Sequence, residues 1–242
     1  MSRLRLLTVL AALAATLPLR AASLDTPEVS LSLPDRWVEV PQEILQAFYE
    51  EMQRQAPNAG IPRYDYATQS TNGPPWLAYP YVLVKVSNTG RPTERELESM
   101  PRFDANAELQ KKSEALSNVM KDTKLGQMQY DKAANVVWVT SESEVIGVGK
   151  VSGISGIIPT ERGFVQIHGY AMTADFAQHE PGFRKIITTA KIPPTLLYQP
   201  RWSDQLEKYA LLDSKSLKWR MALGLGVALV VLLYVILRRK KV

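Results

Sequence analysis

Two hydrophobic periods follow one another at the start of the central part of the chain. Val29, Leu31 and Leu33 alternate with serines, which is the pattern of a half-buried strand. From Pro41 onward, apolar residues recur at helical spacing as far as Gln55. The residues of this apolar face are Ile44, Leu45, Phe48, Tyr49 and Met52. The pattern therefore predicts a strand followed by an amphipathic helix.

The same two periods predict the later elements. Strands are predicted over residues 63–70, 81–86, 125–130, 136–140, 145–154 and 163–172. Helices are predicted over residues 93–100, from a cap at Asp104 to Lys121, and from about Asp175, the last with Phe176, Phe183, Ile186 and Ile187 on one side. Pro181 predicts a kink or a later start in that last helix. This order favours an α+β fold, a mostly antiparallel sheet covered by helices.

The domain boundaries follow from composition. Residues 24–194 are long enough for one sizeable core, so we expect one domain there. A proline-rich stretch near residue 194 marks its end, and residues 195–220 are predicted to be a linker and a juxtamembrane helix.

An apolar run with no charge and no proline occupies residues 221–237. As a helix it would measure about 26 Å, close to the ~30 Å core of a bilayer. We expect a transmembrane helix, with a buried core helix as the alternative. The residues predicted to anchor it are Trp219 and Tyr234 at the interfaces, the small residues Gly224 and Gly226, and the cations Arg238, Arg239, Lys240 and Lys241 of the tail at residues 238–242. The small residues would permit a homodimer through the span.

The N-terminal residues 1–23 have the order of a secretory signal peptide. Arg3 and Arg5 precede a short apolar segment, and small residues follow at Ala21 and Ser23, where we expect cleavage. With this export signal and a basic C-terminal tail, we expect a single-pass protein of a bacterial inner membrane. The domain would then lie in the periplasm and the tail in the cytoplasm.

The net charge of +5 belongs to the two ends of the chain. Residues 23–212 hold 19 of the 29 basic residues and 23 of the 24 acidic ones, which leaves the exported part at −4. Nucleic-acid binding by a basic surface is therefore excluded. The chain has no cysteine, so disulfides and thiolate chemistry are excluded as well.

An aromatic group near the strand at residues 81–86 is the candidate binding surface. Trp76, Tyr79 and Tyr81 follow a loop enforced by Gly73, Pro74 and Pro75. Such rings bury much area and keep a polar group, which suits a ligand or a partner. The alternative is that these three rings cover the core where the strand begins.

Candidate catalytic residues each lack part of a known pattern. Ser155 sits in SGISG, but Ile157 replaces the second glycine of a nucleophile elbow. The glycines at 147, 149 and 153 are spaced wrongly for a dinucleotide site. His168 and His179 are the only histidines, too few for a zinc site without carboxylates. Glu142 and Glu144 share one strand face, where a charged edge explains them as well as acid/base chemistry does. We expect no cofactor or metal.

The segment LPDRWVEVP, the central antiparallel hairpins and the final GYAMTADFAQHEPGFRKII resemble the PsbP/Mog1-like superfamily. The resemblance covers most of residues 27–192 and rests on element order. It implies an α/β/α sandwich and a binding or assembly domain without catalytic residues.

The leading hypothesis is thus a membrane-anchored extracytoplasmic domain that binds or helps to assemble another envelope protein. A small-molecule or lipid-binding module is the alternative, and an exported hydrolase is a third.

Overall fold

The computed structural model describes residues 23–70, 75–117, 119–202 and 204. The strands in this part are β1 (Ser23–Asp25), β2 (Ser30–Ser32), β3 (Val38–Glu39), β4 (Tyr66–Gln69), β5 (Tyr81–Ser87), β6 (Met120–Leu125), β7 (Gln129–Asp131), β8 (Val136–Val145), β9 (Gly149–Thr160) and β10 (Gly163–Met172). The α-helices are α1 (Gln42–Gln55), α2 (Glu94–Ser99), α3 (Ala105–Leu116) and α4 (Phe176–Thr188), with a 3₁₀ turn at Met100–Arg102.

Most of the predicted export signal and the whole predicted anchor lie outside these residues. The anchor residues concerned are Trp219, Gly224, Gly226, Tyr234, Arg238, Arg239, Lys240 and Lys241. Within the described residues, no helix has the length and apolarity needed to span a bilayer.

One antiparallel sheet of eight strands forms the centre of the domain. Its order is β3-β4-β5-β10-β9-β8-β6, and β7 also pairs with β8. The long β9–β10 hairpin runs in register from Thr160 opposite Gly163 to Val151 opposite Met172. β1 and β2 form a separate hairpin, which Ser30 joins to Lys191 through two backbone hydrogen bonds of 2.9 Å. This is the mostly antiparallel α+β arrangement that the sequence predicts.

Both faces of the sheet are covered, because its central strands carry apolar residues on both sides. Helices α1, α2 and α3 pack on one face through residues such as Phe48, Leu97 and Leu109. Helix α4 and the β1–β2 hairpin pack on the other face, where Phe183 and Leu31 are buried. The covering helices thus lie on both sides of the sheet, as the α/β/α expectation required.

The helix predicted from Asp104 to Lys121 is too long. Its cap is confirmed, since the Asp104 carboxylate accepts the N–H of Ala107 at 3.0 Å, but α3 ends at Leu116. Residues from Met120 onward pair with β8 instead, and the Asn106 side chain holds Leu125 by two hydrogen bonds of 2.8 Å. Helical spacing alone could not show this long-range pairing.

Further boundaries also differ from the prediction. The strand predicted over residues 136–140 continues to Val145 as β8, and the strand predicted over residues 145–154 is β9, which begins at Gly149 and extends to Thr160. The strand predicted over residues 125–130 is divided, because β6 ends at Leu125 and β7 begins at Gln129. Helix α4 begins at Phe176 and continues through Pro181, so that proline does not delay its start.

Candidate functional site

The predicted aromatic surface lies at the entry to β5, and most of it is directed into the core. Tyr81 is fully buried, and its ring stacks on that of Tyr79 with centroids 5.0 Å apart. Trp76 is partly buried and packs against the same core. Of the three predicted residues, Trp76 and part of Tyr79 therefore remain available to a partner, whereas Tyr81 does not.

The rings continue across the sheet as a cluster that we call the aromatic–histidine cluster, formed by Tyr64, Tyr79, Tyr81, His168 and Tyr170. Consecutive centroids lie 5.6 Å apart from Tyr81 to Tyr170, 6.5 Å from Tyr170 to His168, and 5.8 Å from His168 to Tyr64. Tyr81 and Tyr170 meet because β5 and β10 pair with these two residues opposite one another.

A glycine makes room for this cluster. A Cβ atom on Gly153 would lie 2.5 Å from the Tyr170 ring and 2.7 Å from the Ser141 hydroxyl. Such distances are too short for any side chain, so only glycine lets the Tyr170 ring lie across β9.

The structure brings Ser155 and His168 together, although no sequence motif links these two residues. They face one another across the β9–β10 hairpin, with the Ser155 hydroxyl 2.7 Å from Nδ1 of His168. Ser155 is 4% exposed and His168 is 0% exposed. The missed signal was the hairpin register, because a turn at residues 161–162 places residue 155 opposite residue 168.

The hydrogen-bonded pair of Ser155 and His168 is buried inside the protein. Burial lowers the pKa of His168 to about 3, since apolar surroundings disfavour the imidazolium, and the positive charge of Lys85 adds to the effect. The imidazole is therefore neutral at physiological pH. Its Nε2 atom has no hydrogen-bond partner among the described residues. In the part of the chain that the structure describes, the pair has neither substrate access nor a carboxylate bonded to the histidine, which a catalytic histidine needs for its orientation.

The other candidate catalytic residues, Glu142, Glu144 and His179, do not contact Ser155 or His168. Glu142 and Glu144 are exposed on β8, where the neighbouring strands place Lys124 opposite Glu142 and Lys121 opposite Glu144. His179 lies on α4, which covers the opposite face of the sheet from His168, and its ring is 6.3 Å from Phe183. Within the described ranges no cluster of three or more His, Asp or Glu residues is arranged to bind a metal.

A second group of residues, unforeseen from the sequence, fixes the segment that leaves the domain. We call it the exit clasp, formed by Arg91, Glu161, Tyr198, Arg201 and Asp204. The Arg91 guanidinium donates to both carboxylate oxygens of Asp204, at 2.9 and 2.8 Å, and to Glu161 at 3.1 Å. Its charge also lies 4.8 Å from the centre of the Tyr198 ring. Arg201 forms an ion pair with Glu161.

The electrostatics of the exit clasp favour the charged forms. The hydrogen bonds from Arg91 hold the pKa of Asp204 below its usual value, and Asp204 in turn raises the pKa of Arg91. Backbone pairing reinforces the attachment, since the Glu161 N–H donates to the Leu196 carbonyl at 3.0 Å. The first part of the predicted linker, up to Asp204, is thus packed on the domain. No motif marks these contacts, because their partners are far apart in the sequence.

A groove lies between α3 and the edge strand β6. It encloses about 660 Å³ and has both apolar and polar walls. Its apolar wall includes Leu109, Leu116 and Met120, while Asn106 and Lys124 contribute polar groups. This volume is in the range of small-molecule sites. The groove does not include the aromatic residues predicted as a binding surface.

Comparison with known proteins gives structural similarities only. No protein-family model matches this chain, and no curated protein does so. The chain is similar to the solution structure of cyanobacterial PsbP (CyanoP) from Synechocystis sp. PCC 6803, at 11% identity and a TM-score of 0.45, covering 72% of this chain and 94% of that chain.

It is also similar to the crystal structure of LpqN, a protein involved in cell envelope biogenesis of Mycobacterium tuberculosis. That match has 12% identity and a TM-score of 0.35, and it covers 76% of this chain and 96% of the other. CyanoP is a PsbP protein, and the sequence resembles the PsbP/Mog1-like superfamily. Because the sequence identities and the TM-scores are low, neither match assigns a ligand or a partner to this chain.

Proposed function

We propose that this chain is a non-catalytic domain, anchored in a bacterial inner membrane, that binds or helps to assemble another envelope protein on the periplasmic side. The observation that carries the proposal is the exit clasp. Arg91, Glu161 and Asp204 fix the departing chain to the domain within the predicted linker and juxtamembrane region, ahead of the predicted span. A domain held in this way keeps a defined position beside its anchor, which suits a scaffold for a membrane neighbour.

The state of the candidate reactive groups supports the non-catalytic part. Ser155 and His168 form the hydrogen-bonded pair that a hydrolase would need, yet both are buried. Glu142 and Glu144 on β8 lie opposite lysines of the edge strand β6. Each group therefore has a structural role that accounts for its position.

Cross-linking in native membranes tests the proposal. A photo-reactive residue replaces the partly exposed Trp76 in one variant and the exposed Ile146 in another, and mass spectrometry identifies what each captures. The matched control lacks residues 213–242 and should be released in soluble form. A reproducible protein neighbour of the full chain that the released control does not capture supports the proposal. Capture of lipid alone by both variants contradicts it.

The groove between α3 and β6 favours a second candidate function, the binding of a small molecule or lipid. Mass spectrometry of the chain purified under mild conditions should then detect a bound compound. Lys124→Trp fills the groove from an exposed position and should abolish that binding, whereas Trp76→Ala should leave it intact. Loss of the compound in the Trp76→Ala variant would instead assign it to the predicted aromatic surface.

A further inference from the structure

Large apolar side chains are exposed at two places in the described part of the chain. Ile146 is 39% exposed in the turn between β8 and β9, at one end of the sheet. Leu197 and Trp202 are 46% and 76% exposed, and both belong to the segment held by the exit clasp at the other end. Isolated exposed apolar residues are common, but an exposed tryptophan beside a predicted membrane anchor is a more specific signal.

The exit clasp fixes the direction of these two side chains. Leu196 and Tyr198 are buried on either side of Leu197, so the extended backbone turns Leu197 outward. Asp204 is buried against Arg91 shortly after Trp202, which holds that part of the segment on the domain. Leu197 and Trp202 therefore project from a fixed backbone.

The length of chain beyond Asp204 determines what this end of the domain faces. Residues 205–220 separate it from the predicted span at residues 221–237. In helical form this tether measures about 24 Å. By contrast, β9 places the turn containing Arg162 and the turn containing Ile146 about 36 Å apart. With residues 221–237 as the span, the end that carries the exit clasp is the end nearer to the bilayer.

An exposed cation at this end suits contact with a bilayer. Arg162 is exposed in the β9–β10 turn, whereas the exposed Arg201 already forms an ion pair with Glu161. Cations close to a bilayer are attracted to anionic headgroups, and tryptophan side chains prefer the headgroup level.

We infer that the end of the sandwich bearing the exit clasp is a membrane-contacting surface, in which Trp202 and Leu197 enter the headgroup layer of an anionic bilayer. The opposite end, with Ile146, faces away from the bilayer. This inference rests on the membrane anchor of the proposed function and adds the orientation of the domain. It leaves the Ile146 end free for the envelope partner.

The absence of cysteine makes a direct test simple. Arg162→Cys and Ile146→Cys are prepared in the full chain, labelled with an environment-sensitive fluorophore, and reconstituted into phosphatidylethanolamine–phosphatidylglycerol vesicles that contain a headgroup nitroxide lipid. We expect strong quenching of the label at position 162 and little at position 146. Adding Trp202→Ser and Leu197→Ser to the Arg162→Cys variant should remove most of that quenching. Equal quenching at the two positions would overturn the inference.

Alkaline carbonate extraction of the same vesicles separates the two proposals. A chain that resists extraction but shows equal quenching keeps its anchor and refutes the orientation alone. A chain that is extracted refutes both.

The Arg91→Lys variant tests the role of the exit clasp. It keeps the positive charge but loses the bidentate hydrogen bonds to Asp204. It should therefore reduce the difference in quenching between positions 162 and 146, while the far-ultraviolet circular dichroism stays unchanged. An undiminished difference in that variant would contradict the role of the exit clasp.

Discussion

Acidification should weaken this domain through His168. The histidine titrates near 6.5 when unfolded but at about 3 in the folded protein. Below pH 6.5 the unfolded state therefore binds a proton that the folded state does not, and stability falls as the pH falls. The stability is fully present above about pH 7 and is lost progressively toward pH 3. At pH 5 the unfolded histidine is about 1.5 pH units below its pKa of 6.5, whereas the folded histidine is still neutral. One unit corresponds to ~1.4 kcal/mol, so the free energy of unfolding is about 2 kcal/mol lower at pH 5 than at pH 7.

Urea unfolding of the full chain in mild detergent, followed by tryptophan fluorescence between pH 7.5 and 5, measures this effect. The comparison variant is His168→Gln, which cannot titrate. Between pH 7.5 and 5 the natural protein should lose about 2 kcal/mol more than this variant. His179→Gln, which removes the partly exposed histidine of α4, is the control and should behave like the natural protein. If the natural protein and His168→Gln lose stability in parallel, His168 is not the buried neutral group described here.

Two further predictions concern packing and the exit clasp. Gly153→Ala should lower the free energy of unfolding by about 1–3 kcal/mol, because its methyl group overlaps the Tyr170 ring. Gly182→Ala in α4 meets no atom within 4 Å and should be neutral or stabilising in the same urea assay. Arg91→Ala should speed tryptic cleavage after Arg201, since it frees that segment, whereas Lys132→Ala, which removes an exposed ion pair, should not. Unchanged cleavage in the Arg91→Ala variant would show that the segment is held by other contacts.

The helices and strands that the sequence predicts well are those in which the hydrophobic period along the chain matches the burial of the same residues in the fold. The strand over residues 163–172 coincides with β10, and the helix face of Phe48 and Met52 is buried as expected. The sequence predicts too long a helix α3, because Val119 and Met120 continue its helical spacing although the helix ends at Leu116. These two residues are indeed buried, but Met120 is in a strand paired to β8. Hydrophobic periodicity therefore identifies Val119 and Met120 as buried, but it does not identify the secondary structure to which they belong.

The site was harder to predict because it depends on contacts between distant positions. The aromatic character of residues 76–81 was evident, but the burial of Tyr81 follows from its pairing with Tyr170 on another strand. Ser155 and His168 become neighbours only through the register of a hairpin. The exit clasp joins Arg91 to Asp204 across more than a hundred positions, and charged residues at such a separation carry no pattern of their own.

The two edges of the large sheet restrict how any partner can attach. β3 has two residues, and β6 is irregular between Lys121 and Lys124, where Asp122 has a φ of 47°. Neither edge presents the straight row of free N–H and C=O groups that an added strand requires. These two edges therefore disfavour attachment by an added strand, so we expect a partner to recognise side chains and turns and copies of the domain to be protected from pairing edge to edge there.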